Sequence, residues 1–449
     1  MKKVIPIIIL TIISALFIFY RFIDIPKYLA YDEVEFAKLA LSLQNKPYTP
    51  YSSLATGHST LYFYIILFSL KTFGINVFAL RFPAAIFGIL SVIMFYLIMQ
   101  KVFKQQKLPT PYPLPPTPFL ITLILLSSRW FLNFARFSFE ATFLLFLELT
   151  SIYFLLMANA QITNFLRLGI PPKGEGSHWR QKISLSSINL ILSGLFAGLA
   201  FLSYTPGRIF FLLPLSFLVF KLVNSLTRKQ FNNVTMKQFF IFIIPFIIII
   251  TPLTISLLTK QDSRIDKLFF WRNHEMTINE KIIGTANNVK TITLMFFVKG
   301  DMNGKHNYPG KPALNSILGI LFVIGLLISI KNYKDLYNKL FLVYFFISIF
   351  PSLAIYPWEN PSMLRTFTVI PSVVYFIGNV IYHLSSIVQR WSINKTFVSC
   401  FLFLVILFSC FYEFRTYFKY QAPVFEHSFE IRHPLKKAIK MKNIYEKVP

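Results

Sequence analysis

Long apolar runs alternate with short polar stretches over the whole chain. A helix needs about 20 such residues to cross about 30 Å of hydrocarbon. By that measure the sequence predicts helices over 4–20, 79–100, 118–135, 139–159, 187–203, 208–224, 238–258, 312–330, 340–356, 366–384 and 396–413. That makes about eleven crossings, an all-α polytopic membrane protein.

The run from Thr60 to Phe73 is shorter. If it crossed, the basic loop with Lys101, Lys104 and Lys107 would lie outside, so it is expected to lie along the outer interface. Lys2 and Lys3 put the N-terminus in the cytoplasm, and the first helix then delivers 21–58 to the outside. The start resembles a signal peptide, but Arg21-Phe22-Ile23 offers no small-residue cleavage site, so it reads as an uncleaved helix. Inner loops carry Arg228, Lys229, Lys237, Lys331, Lys334, Lys339, Arg390 and Lys395.

The prolines of 109–118 form a stiff cytoplasmic spacer, and the polar, basic stretch 160–185 faces the same side. Residues 1–413 form the membrane domain. Within it, 21–78 is the first outer loop, with juxtamembrane helices, and 259–311 is the longest outer segment. A short basic tail, 414–449, follows on the outside, against the charge rule, which long segments obey poorly. There is no internal repeat and no phosphate-binding glycine loop.

Composition sharpens the class. The chain is 55% hydrophobic and holds 52 Phe, more apolar side chain than a soluble domain can bury. The net charge of +27 does not indicate nucleic acid, because the Lys and Arg are scattered between apolar runs. They suit anionic headgroups and fix orientation. Cys400 and Cys410 share one helix about 15 Å apart, beyond disulfide reach, and there is no zinc or redox motif.

Chemistry collects on the expected outer side: Asp32, Glu33, Glu35, His58, Arg136, Glu140, Arg208, Lys305, His306 and Arg365. Three acids stand within Tyr31-Asp32-Glu33-Val34-Glu35, in a chain with 18 acids against 45 Lys plus Arg. Acids and bases on one face suit a reaction in which a hydroxyl or amine attacks and a phosphate leaves. A carboxylate accepts the proton; Arg and Lys hold the phosphate.

Blander roles stand beside these. Asp32 and Glu33 also fit a solvated loop, and Glu140 fits a helix N-terminus. Arg136 could pair with Glu140. Arg208 and Arg365 fit lipid headgroups as well as phosphate. His58 alone is a poor metal ligand. Glu148, deeper in its run, needs a partner that the sequence does not name.

Several stretches together resemble a known family, the GT-C membrane glycosyltransferases. These include protein O-mannosyltransferases and the lipid A aminoarabinose transferase. Tyr31-Asp32-Glu33 resembles the family's acidic pair, and Gly57-His58-Ser59-Thr60-Leu61-Tyr62 its Gly-His-Pro-Pro-Leu-Tyr, with Ser-Thr for the prolines. Ala79-Leu80-Arg81-Phe82-Pro83, Arg136-Phe137-Ser138-Phe139-Glu140, Gly300-Asp301, Lys305-His306-Asn307-Tyr308-Pro309 and Leu364-Arg365-Thr366 follow in family order.

The resemblance implies the GT-C fold in the cytoplasmic membrane, with an extracytoplasmic site. It implies a polyprenyl-phosphate sugar donor and an acceptor that is protein, lipid or glycan. Asp32 would be the base, and Glu33, the other member of the acidic pair, is a further catalytic candidate. Glu140, where the family usually has Asp, would orient substrate, and Arg365 would hold phosphate. His58, Arg136, Arg208, Lys305 and His306 are the further substrate-binding candidates. Some members use a divalent metal, Mg or Mn, and others none.

Two other classes compete. A lipid-linked sugar flippase should carry its polar residues near the midplane, in related halves. An O-antigen ligase or polymerase should not need the early acidic pair.

Overall fold

The computed structural model describes residues 4–105, 117–167, 176–227, 233–259, 268–390 and 395–441. Most of the Pro-rich spacer 109–118 and the charges Lys2, Lys3, Arg228 and Lys229 lie outside the described residues.

Among the described residues the structure is mostly helical. The helices are α1 (Ile5–Phe19), α2 (Tyr31–Ser42), α3 (Leu61–Phe73), α4 (Val77–Gln105), α5 (Thr117–Ser127), α6 (Arg129–Ala135), α7 (Ala141–Arg167) and α8 (Gly176–Phe201). They continue with α9 (Leu212–Thr227), α10 (Asn233–Thr259), α11 (Ile278–Phe297), α12 (Ser316–Lys331), α13 (Leu336–Leu353), α14 (Ile370–Arg390), α15 (Lys395–Arg415), α16 (Ala422–Ser428) and α17 (Leu435–Ala438). A π-helical turn, Thr416–Gln421, joins α15 to α16. Two short strands, β1 (Tyr51–Ser52) and β2 (His58–Ser59), pair antiparallel in the first loop.

Among the described residues, seven helices are long and apolar enough to cross a membrane, or eight if the bent pair α5–α6 is one span. Ile5–Phe19, Leu61–Phe73, Leu185–Phe201 and Ser316–Lys331 are apolar but shorter. Every run predicted from the sequence is a helix, but length and composition alone do not reach the expected count of eleven.

The long helices pack side by side through small residues. A side chain at Gly194 of α8 would run into the carbonyl of Phe242 on α10, and one at Gly325 of α12 into that of Phe376 on α14. Close backbone approach is how helices associate where water supplies no driving force.

Three features depart from the sequence reading. The segment 118–135 is bent by 64° between α5 and α6, because Ser128 (φ −55°, ψ 123°) leaves the helical region. The segment 259–311 is not all loop: it contains α11, capped by Thr277 and Glu280. The tail does not trail away. Ile431 bridges Leu29 with both backbone hydrogen bonds, 2.9 and 3.1 Å.

The tail's Phe429 is buried against Phe137, and Lys305 pairs with Glu430 at 3.0 Å. The tail therefore shares a face with the first loop. The two cysteines are free, as their spacing requires.

Candidate active site

Helix α2 begins the site. Ala30 is its N-cap, so Asp32 and Glu33 fall in the first turn, where the helix's positive end favours anions. Neighbours on a helix point about 100° apart, so the two acids part company. Asp32 lines a cavity of about 660 Å³. Glu33 turns into the protein and is fully buried.

Glu33 is held by Arg81, which the sequence reading did not place among the site residues. The guanidinium donates from Nε to Oε1 (2.7 Å) and from Nη2 to Oε2 (2.8 Å). It also donates to the carbonyls of Pro26 and Tyr28. Glu33 takes two more hydrogen bonds, from the backbone N–H of Ala30 and Ser138. This doubly bonded pair anchors the first loop to α4 and to the segment before α7. Removing one member of such a buried pair strands the other charge, at a cost of about 3–5 kcal/mol. Glu33 thus sits away from the cavity, and its contacts are those of an anchor.

Three segments give the cavity its polar wall, and Phe139 and Tyr204 add rings from two others. The first loop gives Tyr31, Asp32, Glu35 and His58; the loop before α12 gives Asp301, Asn303 and His306; the turn after α13 gives Trp358, Glu359 and Arg365. Of the four acids on this wall, Glu35 bonds Lys38 and Glu359 bonds Arg365. Asp301 is held by three donors, described below. Asp32 has no hydrogen bond or ion pair among the described residues, and its carboxylate is the one left available.

Two imidazoles face the cavity with a carboxylate behind each. His58 Nδ1 meets Glu140 Oε1 at 2.8 Å, and its ring packs edge-on against Phe36 and Phe63. Glu140 is fully buried behind it, with Oε2 lacking a hydrogen-bond partner among the described residues. The nearby Tyr62 hydroxyl is pushed well above the usual phenol range by burial and then by Glu140, so it stays protonated.

His306 Nδ1 meets Asp301 Oδ2 at 3.1 Å. The same Oδ2 accepts from the Met363 N–H at 2.9 Å, and Oδ1 accepts from the Asn303 N–H at 2.8 Å. Asp301 therefore ties His306 to the turn that carries Arg365. It stood inside a stretch that the sequence singled out, but nothing in one sequence paired it with His306 or Met363.

Other expected residues lie elsewhere. Arg136 does not pair with Glu140. It is buried and donates to carbonyls at the end of α1, those of Phe17 and Ile18, and to those of Arg21 and Ile25, with Phe418 against its guanidinium. Lys305 pairs with Glu430. Arg208 lies on the 3-10 turn Thr205–Ile209 and is not among the cavity-lining residues. Glu148 finds its partner in the Tyr344 hydroxyl, at 2.6 Å. The structure thus brings together Asp32, His58, His306 and Arg365, with Glu140 one layer behind.

A divalent cation needs several converging ligands. Among the described residues no three His, Cys, Asp or Glu side chains converge to hold one. The described residues therefore supply no ready-made set of metal ligands.

The fold has solved counterparts. The archaeal oligosaccharyltransferase AglB from Archaeoglobus fulgidus, solved with an inhibitory peptide and a dolichol-phosphate, aligns over 94% of this chain at TM-score 0.53 and 15% identity. The fold is the GT-C fold. The apo form of the Archaeoglobus fulgidus oligosaccharyltransferase aligns over 93% of the chain at TM-score 0.53 and 14% identity. ArnT from Cupriavidus metallidurans bound to undecaprenyl phosphate aligns over 94% of this chain and 76% of its own, at TM-score 0.46 and 11% identity. The chain spans 55% of the length of AglB, so the likeness covers nearly all of this chain and little more than half of that enzyme. No family model and no curated sequence matches the chain.

Proposed function

We propose that this protein moves a sugar from a polyprenyl-phosphate carrier to an acceptor on the extracytoplasmic side of the cytoplasmic membrane. Asp32 takes the proton of the attacking hydroxyl or amine. The acceptor atom bonds to the anomeric carbon as the bond from that carbon to the phosphate oxygen breaks. The polyprenyl phosphate leaves with the electron pair.

The observation that carries this reading is the unpaired carboxylate of Asp32 on a cavity wall whose other acids are bonded to protein donors. A carboxylate that no protein donor engages has its lone pairs open to a substrate proton. Arg365 uses two of its five donors on Glu359, and the others remain for a phosphate. His58 and His306, each oriented by a carboxylate, supply further hydrogen bonds to substrate. The GT-C structure solved with a dolichol-phosphate makes a lipid phosphate the natural donor class to test first.

The test is transfer by purified protein from a panel of polyprenyl-phosphate sugars to envelope extracts. Asp32→Asn is expected to lower the rate by about 10²–10⁴-fold while donor binding persists. Glu140→Gln is expected to lose less, because His58 keeps a hydrogen-bond acceptor behind it. Full transfer by Asp32→Asn would remove the assignment of the base.

A further inference from the structure

Trp358 is 75% exposed, more than any other ring on the cavity wall. It sits on a 3-10 turn, Pro357–Glu359, and its rear face lies on Tyr356, with centroids 4.3 Å apart and planes 20° from parallel. Tyr356 is itself fixed: its hydroxyl accepts from Asn273 Nδ2 at 3.0 Å, and its N–H bonds the Leu268 carbonyl. The indole is thus backed on one face and open on the other. Its N–H has no partner among the described residues. Glu359 and Arg365, paired at 2.8 Å, bring a carboxylate and a guanidinium to the same cavity wall.

A Trp of the interfacial belt sits at headgroup level on the lipid-facing surface. Trp358 instead lies among charged groups in a cavity. Trp271 makes the contrast. It is 47% exposed, its Nε1 bonds Thr285, and it does not line the cavity.

An open aromatic face on a cavity wall that also carries hydrogen-bonding groups matches one chemistry well. A pyranose has a face of C–H bonds for the ring and hydroxyls at its edge for the N–H, carboxylate and guanidinium. We infer that Trp358, braced by Tyr356, is a sugar-stacking platform that holds a pyranose ring at the mouth of the cavity. The inference rests on the glycosyl-transfer reading and deepens it. The stacked ring comes from one of two sources, the donor's sugar or a glycan acceptor.

The experiment compares wild type, Trp358→Ala, Trp358→Phe and Trp271→Ala as full-length protein in nanodiscs. Saturation-transfer NMR with methyl α-mannoside, methyl β-glucoside and N-acetylglucosamine reads binding without any reaction. Saturation on ring C–H protons is expected in wild type and Trp358→Phe and is lost in Trp358→Ala. In transfer assays, Trp358→Ala is expected to raise KM by about tenfold with little change in kcat.

A KM rise that persists for donor hydrolysis without acceptor assigns the ring to the donor; one seen only in transfer assigns it to the acceptor. The inference is overturned if Trp358→Ala behaves as wild type, if Trp271→Ala loses as much, or if Trp358→Phe rescues nothing. Glycoside binding through Trp358 in a protein that transfers no sugar would sink the transfer reading and leave the platform standing.

Discussion

Asp301 holds its surroundings with few atoms. One carboxylate oxygen bonds both His306 and the Met363 N–H. A hydrogen bond to an ionised group contributes about 1.5–3 kcal/mol. Asp301→Asn keeps the shape but loses the charge and one acceptor. It is expected to cut transfer roughly ten- to hundredfold, mainly through kcat, while Asp301→Glu restores part of it. An equal loss in both variants, matched by a lower melting temperature, would point to folding instead. Single residues were legible here only in part. The acidic cluster announced Asp32, but the sequence could not tell it from Glu33. Telling them apart needs the start of α2 and the distant Arg81, 48 positions away.

Among elements, α11 shows what hydropathy misses. It has Lys281, Asn287, Asn288 and Lys290 among its apolar residues, so no run marks it as a span. A local signal was nevertheless present, in Thr277 followed three residues later by Glu280, the reciprocal cap. Thr277→Ala is expected to cost about 1 kcal/mol of local stability. It would show as faster amide exchange in the first turn of α11 with the other helices unchanged.

The cap also has a pH dependence. Hydrogen bonds from Thr277 hold the Glu280 carboxyl below its ordinary value. Its contribution is therefore full above the unfolded carboxyl pKa and disappears as pH falls through the lower, folded one. The short α6 was equally hidden, because a bend has no hydropathy signature. It nonetheless fixes the site loops: Arg129 bonds the Pro312 carbonyl, Trp130 that of Met363 and Asn133 that of Lys305.

For the whole molecule, the alternation of apolar and polar runs was enough to place each long helix, because the bilayer sets their length. It did not reveal that the tail returns to the first loop, since that contact is made by a bridge, Phe429 and one ion pair. The fold makes a direct prediction about sidedness. With Cys400 and Cys410 replaced by Ser, cysteines placed at Tyr48 and at Lys436 should react with a membrane-impermeant maleimide from the same side. Labelling from opposite sides would contradict the Leu29–Ile431 bridge.

That bridge also settles a matter of parity. Residues that touch outside the bilayer occupy one compartment, so the chain must traverse the membrane an even number of times between them. Among the described residues, eight candidate spans, counting the bent pair once, lie in that interval. Of the three shorter apolar helices also there, Leu61–Phe73, Leu185–Phe201 and Ser316–Lys331, either none or two complete the journey. With the bent pair counted as one crossing, at least one of the three stays on the surface, and at 13 residues α3 has the least reach.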